Sequence, residues 1–184
     1  SSNLFNILGS FFLLQSSSFI IFSLFFSSSV EVGNSLLAYV DFNNLARSYG
    51  KVGGLDRMTT LVKAIRASRP NNTLLLDGGD TWQGSFTSME TSGSDMVAVM
   101  NTLGVDAMTA HWEFTHGYKR VKELTEMLDF PFLAGNIRDT EWEEAVFEST
   151  ATFERGGIKI AVIGQAFPYT PVANPRYMMP NWSF

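Results

Sequence analysis

The chain has no cysteine. Disulfides and thiolate metal sites are therefore excluded, and the redox compartment is left open. Histidine is nearly as scarce: both copies, His111 and His116, fall inside AHWEFTHG at residues 110 to 117. Positive charge is also short. Thirteen Lys and Arg stand against eighteen Asp and Glu, a net charge of −5. With no basic excess to follow a phosphate backbone, nucleic acid is disfavoured as a partner. From Leu4 to Phe26 there is no charge at all, and the first Lys or Arg is Arg47.

That uncharged run reads in three ways. It is long enough for a membrane anchor, although five serines dilute it. A secretory leader would put basic residues ahead of the apolar stretch, and none is present. An extension translated from non-coding or out-of-frame DNA fits best, because Ser, Phe and Leu share T-rich codons. No His, Asp or Glu precedes Glu31, so no chemistry is expected there. We divide the 184 residues at this point. Residues 1–35 form the Ser/Phe-rich segment, and residues 36–184 form one partial domain of a larger protein.

From residue 36 onward the pattern alternates between helix and strand. Met58, Leu61, Val62 and Ile65 recur at helical spacing, with Lys63 and Arg66 outside and Asp56 as cap. Thr73 to Leu76 reads as a buried strand. Asp95 is expected to cap a second helix with Met96, Val99, Met100 and Leu103 on one face, stopped by Gly104. A strand over Val105 to Thr109 follows. Tyr118, Val121, Leu124 and Leu128 then stripe a third helix. Phe132 to Ala134 gives another strand, and ATFERGGIKIAVIGQ a hairpin turning at Arg155 to Gly157. Alternation of this kind implies an α/β fold with parallel pairing and right-handed crossovers. Ligands then sit beyond the carboxyl ends of the strands. Three such ends carry unusual residues: Asp77 to Asp80, His111 to Glu113, and Gly164 to Pro168.

In LLLDGGDTWQGS, residues 74 to 85, Gly78 and Gly79 permit a sharp turn that aims the Asp80 carboxylate outward. Two carboxylate oxygens suit a bridge between two cations. His111 offers a neutral imidazole nitrogen, suited to Mn, Fe or Zn. Glu113 is placed to orient a ligand, and is otherwise a solvated loop charge. Trp82 and Trp112 are candidate walls of a substrate pocket, and the competing role for a tryptophan is partial core. Gln83 reaches substrate or a ligand, or packs at a helix start. Asn136 stands beside the site or satisfies loop backbone groups. Asp77 is structural, and His116 a polar residue at a helix start. Two metals roughly 3.5–4 Å apart would lower the pKa of a water and neutralise the oxygens of a phosphate or sulfate ester.

Residues from about Leu36 to Phe184 resemble the amino-terminal half of the SoxB family, sulfur-oxidation sulfohydrolases among the 5'-nucleotidase-like metallophosphoesterases. The resemblance rests on YVDFNNLARSYGKVGG (39–54), LLLDGGDTWQGS (74–85), HWEFTHG (111–117), GNIRDTEW (135–142) and IAVIGQAFPYTPVANPRYM (160–178). It implies a calcineurin-like αββα sandwich, here its amino-terminal part. It also implies two Mn2+, with Asp80 as bridging ligand, and a periplasmic location. The implied reaction releases sulfate from a cysteine S-thiosulfonate on the carrier SoxYZ. In nucleotidase relatives the second motif reads Gly-Asn-His-Glu, in which Asn ligates metal and His is the general acid. On that pattern His111 takes the ligand's place and Trp112 replaces the acid. A sulfur anion is a good leaving group and needs little protonation.

Three departures qualify the resemblance. The family's Asp-x-His motif is absent upstream. Ala110 stands where the family has Gly, and His116 where it has Tyr. The later histidine ligands are not in this chain, which alone is expected to bind Mn2+ weakly and not to hydrolyse thiosulfonates. A 5'-nucleotidase-like phosphoesterase and a membrane-tethered, non-catalytic binding domain are the competing functions.

Overall fold

The computed structural model describes residues 12–16, 19–24 and 54–184. A four-stranded sheet forms the centre, in the order β1 (Phe12–Ser16), β2 (Phe19–Leu24), β3 (Thr73–Asp77) and β4 (Ala107–Met108). β1 and β2 are antiparallel, while β2 with β3 and β3 with β4 are parallel. Pairing of β2 with β3 thus crosses the division drawn at residue 35. Most of the supposed tether, and residues 39–53 of the first family-like stretch, lie outside the described residues. Among those described, no helix is long and apolar enough to cross a membrane.

The helices α1 (Leu55–Ser68), α2 (Phe86–Glu90), α3 (Ser94–Leu103) and α4 (Tyr118–Glu126) connect or flank the strands. α1 begins before Asp56, so Gly54 holds the cap position and Asp56 lies in the first turn. There its charge still meets the positive end of the helix dipole. Leu61, expected inside, is 49% exposed, while Val62 is buried. Arg66 does not face solvent alone. Its guanidinium donates to the carbonyls of Leu103 and Gly104 and approaches Asp106 at 3.4 Å. α3 likewise starts early, with the left-handed Gly93 as cap two residues before Asp95, and Asp95 instead accepts from Thr91 Oγ1 at 2.8 Å. Its buried face is Met96, Val97, Met100 and Leu103, with Val99 half-buried. Gly104, at φ 73°, ends it as expected.

The strand over Val105 to Thr109 is assigned only at Ala107 and Met108. Its ladder nevertheless continues on both sides, through Asp106 N–H to Leu75 O (2.8 Å) and Thr109 N–H to Asp77 O (3.0 Å). Beyond it Phe132 bridges Met108 in parallel. β6 (Thr150–Arg155) and β7 (Ile158–Ile163) form the expected hairpin. Gly156 and Gly157, both at positive φ, make its two-residue turn. A short pair, β5 (Arg138–Asp139) with β8 (Trp182–Ser183), and a one-turn helix α5 (Thr170–Ala173) complete the chain.

The core lies between the sheet and α1, α3 and α4. Leu75, Met96, Met100, Phe114, Val121 and Leu124 are fully buried there. Burying a side chain of this size is worth roughly 1.5–3 kcal/mol. This packing fixes the strand ends, and with them the loops that follow.

Candidate metal centre

The three strand-end loops meet on one edge. Gly79 is pressed against the loop after β4. A Cβ at Gly79 would lie 2.5 Å from His111 N and 2.8 Å from Ala110 C, so only hydrogen fits. The backbone bends at Gly79 (φ 88°) and Asp80 (φ 66°), and Gly78 carries none of the bend. Aspartate tolerates the left-handed region better than most residues. The turn does not aim Asp80 outward: its side chain is buried, facing the His111 ring.

Asp80 Oδ2 and His111 Nδ1 lie 3.5 Å apart. Both are buried atoms without a hydrogen-bond partner. Buried polar atoms are rarely left unpaired, and two orphans face to face call for a shared partner. Donors about 2.1 Å from one ion stand about 3.0–3.4 Å apart at ordinary coordination angles, close to the observed gap. The two residues therefore fit a divalent cation. The other Asp80 oxygen accepts from the Gln83 side-chain amide. A bridging role for Asp80 requires Gln83 to turn aside. Among the described residues, no three His, Cys, Asp or Glu side chains gather as a ligand set.

Glu113 is no solvated charge. It is fully buried, and its two oxygens accept from Thr81 N–H (2.7 Å) and His111 N–H (2.6 Å). One carboxylate thus clamps both ligand-bearing loops through their backbones. Asp77 braces the same turn, accepting from Gly79 N–H (2.9 Å) and from Thr81 Oγ1 at 2.8 Å. Burial pushes the Asp77 carboxyl up to about 8, and the nearby Glu113 adds to the rise. Burial also raises Glu113, against the pull of the backbone N–H groups it accepts from.

Of its two candidate roles, Trp82 takes that of core. It is fully buried and stacks on Phe132 at 5.7 Å. His116 does more than open a helix. It closes a 3₁₀ turn over Glu113–His116, and its Nε2 bonds the Trp82 carbonyl at 2.8 Å. Trp112 is half-buried, with its ring 5.7 Å from that of His111. Asn136 serves the backbone. Its side chain both donates to Ala166 O (2.9 Å) and accepts from Ala166 N–H (2.8 Å). That fastens the Gly164 to Pro168 loop, whose Phe167 N–H then donates to Ala110 O at 3.0 Å.

Two residues at this edge escaped sequence reading. Thr81 is buried under Asp80 and ties Asp77 down. Phe167 packs on His111, with ring centroids 4.5 Å apart. GQAFP reads as a strand-end loop, yet no pattern in it singles out Phe167.

No protein-family model matches the chain. It is 32% identical over 131 residues to the 5'-nucleotidase of Mus musculus, covering 67% of this chain and 23% of that protein. Among solved structures it is similar to the sulfate thiohydrolase SoxB of Thermus thermophilus, determined in complex with glycerol. That match has 36% identity and a TM-score of 0.72, over 85% of this chain and 30% of the other. It is also similar in fold alone to the calcineurin-like phosphoesterase YfkN of Bacillus subtilis, with a TM-score of 0.60 and 24% identity over 71% of this chain and 45% of that one. The chain spans about a quarter of the length of the curated relatives it matches. The fold is the calcineurin-like metallophosphoesterase α/β fold, in its amino-terminal part.

Proposed function

We infer that this chain, which belongs to the 5'-nucleotidase-like metallophosphoesterase superfamily, supplies part of the active site of a dimetal sulfohydrolase. Its substrate is a cysteine S-thiosulfonate on the sulfur carrier SoxYZ, its product sulfate, its metal manganese and its compartment the periplasm. Asp80 and His111, whose Oδ2 and Nδ1 face each other without other partners, would hold a cation. When bound, a divalent pair would supply a lower pKa for a water and offset the negative charge of the sulfonate oxygens. Glu113 and Asp77 keep the two ligand loops in register.

The observation that carries this reading is Trp112. It follows the ligand His111 directly and packs beside it and Phe167. An indole N–H does not ionise near neutral pH and gives no proton to a leaving group. An alkoxide leaving group needs that proton; a sulfur anion does not. In the proposed hydrolysis the water oxygen bonds to the sulfonate sulfur. The sulfur–sulfur bond breaks, its electron pair leaves on the carrier's sulfur, and the water's two protons pass to solvent as sulfate forms. The 36% identity to a sulfate thiohydrolase supports the same substrate class.

A nucleotide phosphoesterase is the second reading, favoured by the identity to a 5'-nucleotidase. The two separate in one experiment. The full-length protein with Mn2+ is given an S-sulfocysteine-type thiosulfonate and, separately, a nucleoside monophosphate. Sulfate release without phosphate release is expected. Phosphate release as the faster reaction would overturn the proposal.

A further inference from the structure

We propose that Phe167 is a positioning residue that holds the His111 imidazole in its ligand orientation by ring packing. This rests on the reading that Asp80 and His111 share a cation. Histidines that bind metals usually have their ring fixed by a hydrogen bond from the second nitrogen to a carboxylate or carbonyl. Among the described residues His111 has no such bond. Its Glu113 contact is made by the backbone N–H, not by the ring. Its side chain is also 35% exposed, which leaves room for the ring to swing out.

Aromatic packing fills that gap. The Phe167 ring lies 4.5 Å from the His111 ring at a tilt of 46°, and Trp112 meets His111 edge-on at 80°. The Phe167 and Trp112 rings also pack on each other at 6.0 Å, so the three rings form one cluster that backs the imidazole and keeps Nδ1 beside Asp80 Oδ2. A wall works only if it is itself fixed, and Phe167 is. Its N–H is bound to Ala110 O, one residue before His111. Its other neighbour, Ala166, is held at both backbone atoms by Asn136. Just upstream, Gly164 N–H bonds Ser149 O, and a Cβ at Gly164 would overlap Leu133. The loop therefore presents its ring from a braced backbone. Tyr169 packs on Phe167 as well, at 5.6 Å between ring centroids.

An aromatic pair contributes beyond simple burial by an amount that corresponds to roughly 2- to 10-fold in affinity. The experiment titrates Mn2+ into the full-length protein and follows free Mn2+ by its electron paramagnetic resonance signal. Variants are Phe167→Leu, Phe167→Tyr and His111→Ala. The bound metal's coupling to an imidazole nitrogen is recorded in parallel. Phe167→Leu is expected to weaken Mn2+ binding roughly 2- to 10-fold and to broaden the nitrogen coupling. Phe167→Tyr, which keeps the ring face, is expected to bind as wild type does. Wild-type affinity and coupling in Phe167→Leu, with binding lost in His111→Ala, would overturn the positioning role and leave the metal centre standing. Unchanged binding in His111→Ala would instead remove the metal centre and, with it, this proposal. Equal losses in Phe167→Leu and Phe167→Tyr would also overturn it, because the ring face would then not be what matters.

Discussion

Gly79→Ala puts the meeting of the two ligand loops to direct trial. The new Cβ would stand 2.5 Å from His111 N, 2.8 Å from Ala110 C and 2.9 Å from Thr109 O. All three are backbone atoms, so no side chain can rotate away. Non-bonded carbon contacts settle near 3.5–4.0 Å, so the loops must part by about 1 Å. The position also sits at φ 88°, where a Cβ costs about 1–2 kcal/mol by itself. Overpacking against fixed neighbours adds about 1–3 kcal/mol. The expected loss is about 2–5 kcal/mol, a large part of a typical domain's stability. Gly84→Ala is the matched control. Gly84 lies at φ 102° with nothing within 4 Å of its Cβ position, so it carries the backbone cost alone. Urea unfolding followed by far-ultraviolet circular dichroism measures both variants. Mn2+ affinity measures the second consequence, since parting the loops pulls Asp80 from His111. Gly79→Ala should lose at least 1 kcal/mol more than Gly84→Ala and bind Mn2+ over 10-fold more weakly. Equal stabilities for the two variants would refute the close approach on which the site depends.

Three further outcomes follow from the same contacts. Glu113→Gln keeps the shape but turns an amide donor toward one of two backbone N–H groups. A loss of about 2–3 kcal/mol is expected in urea unfolding, and a loss below about 0.5 kcal/mol would remove the clamp. Asp77 holds its proton up to about pH 8 when folded, against 3.8 as its ordinary value. The folded state therefore binds more protons across that window, and metal-free stability falls as pH rises from about 4 to about 8, then levels. Buried Glu113 adds a fall of the same sign. Asp77→Asn should flatten the slope of Tm between pH 5 and 8, and an unchanged slope would assign it elsewhere. Asn136→Ala removes both bonds to Ala166. It should cost about 1–3 kcal/mol and open the Gly164 to Pro168 loop to limited proteolysis; wild-type resistance would show that the loop is held by other means.

Much of the fold was legible because it is carried by local signals. The apolar run Thr73 to Leu76, the stops at Gly104 and Gly156-Gly157, and the stripe of Val121 and Leu124 all act through neighbours in sequence. The helix starts were misplaced at Asp56 and Asp95 because acidic residues suit both the cap and the first turn. Side chains whose partners lie far along the chain were harder. Arg66 looked solvent-facing because Asp106, its partner, is distant in sequence. Trp82 reads from sequence as pocket wall or as core for the same reason: Phe132, which stacks on it, is distant along the chain. Glu113 was placed beside a ligand, but its connection through two backbone N–H groups needed coordinates.

The sequence alone determined which chemistry is available. With no thiol and two histidines, thiolate ligands are excluded and carboxylate and imidazole are the leading groups, and the glycine-aspartate turn and HWEF stretch name the candidates. Tertiary structure decided which of them meet. Parallel pairing of β3 with β4 brings two strand ends to one edge, and only then do Asp80 Oδ2 and His111 Nδ1 face each other. Composition and spacing fix the inventory of groups, whereas burial and contact depend on packing between segments that no local pattern encodes.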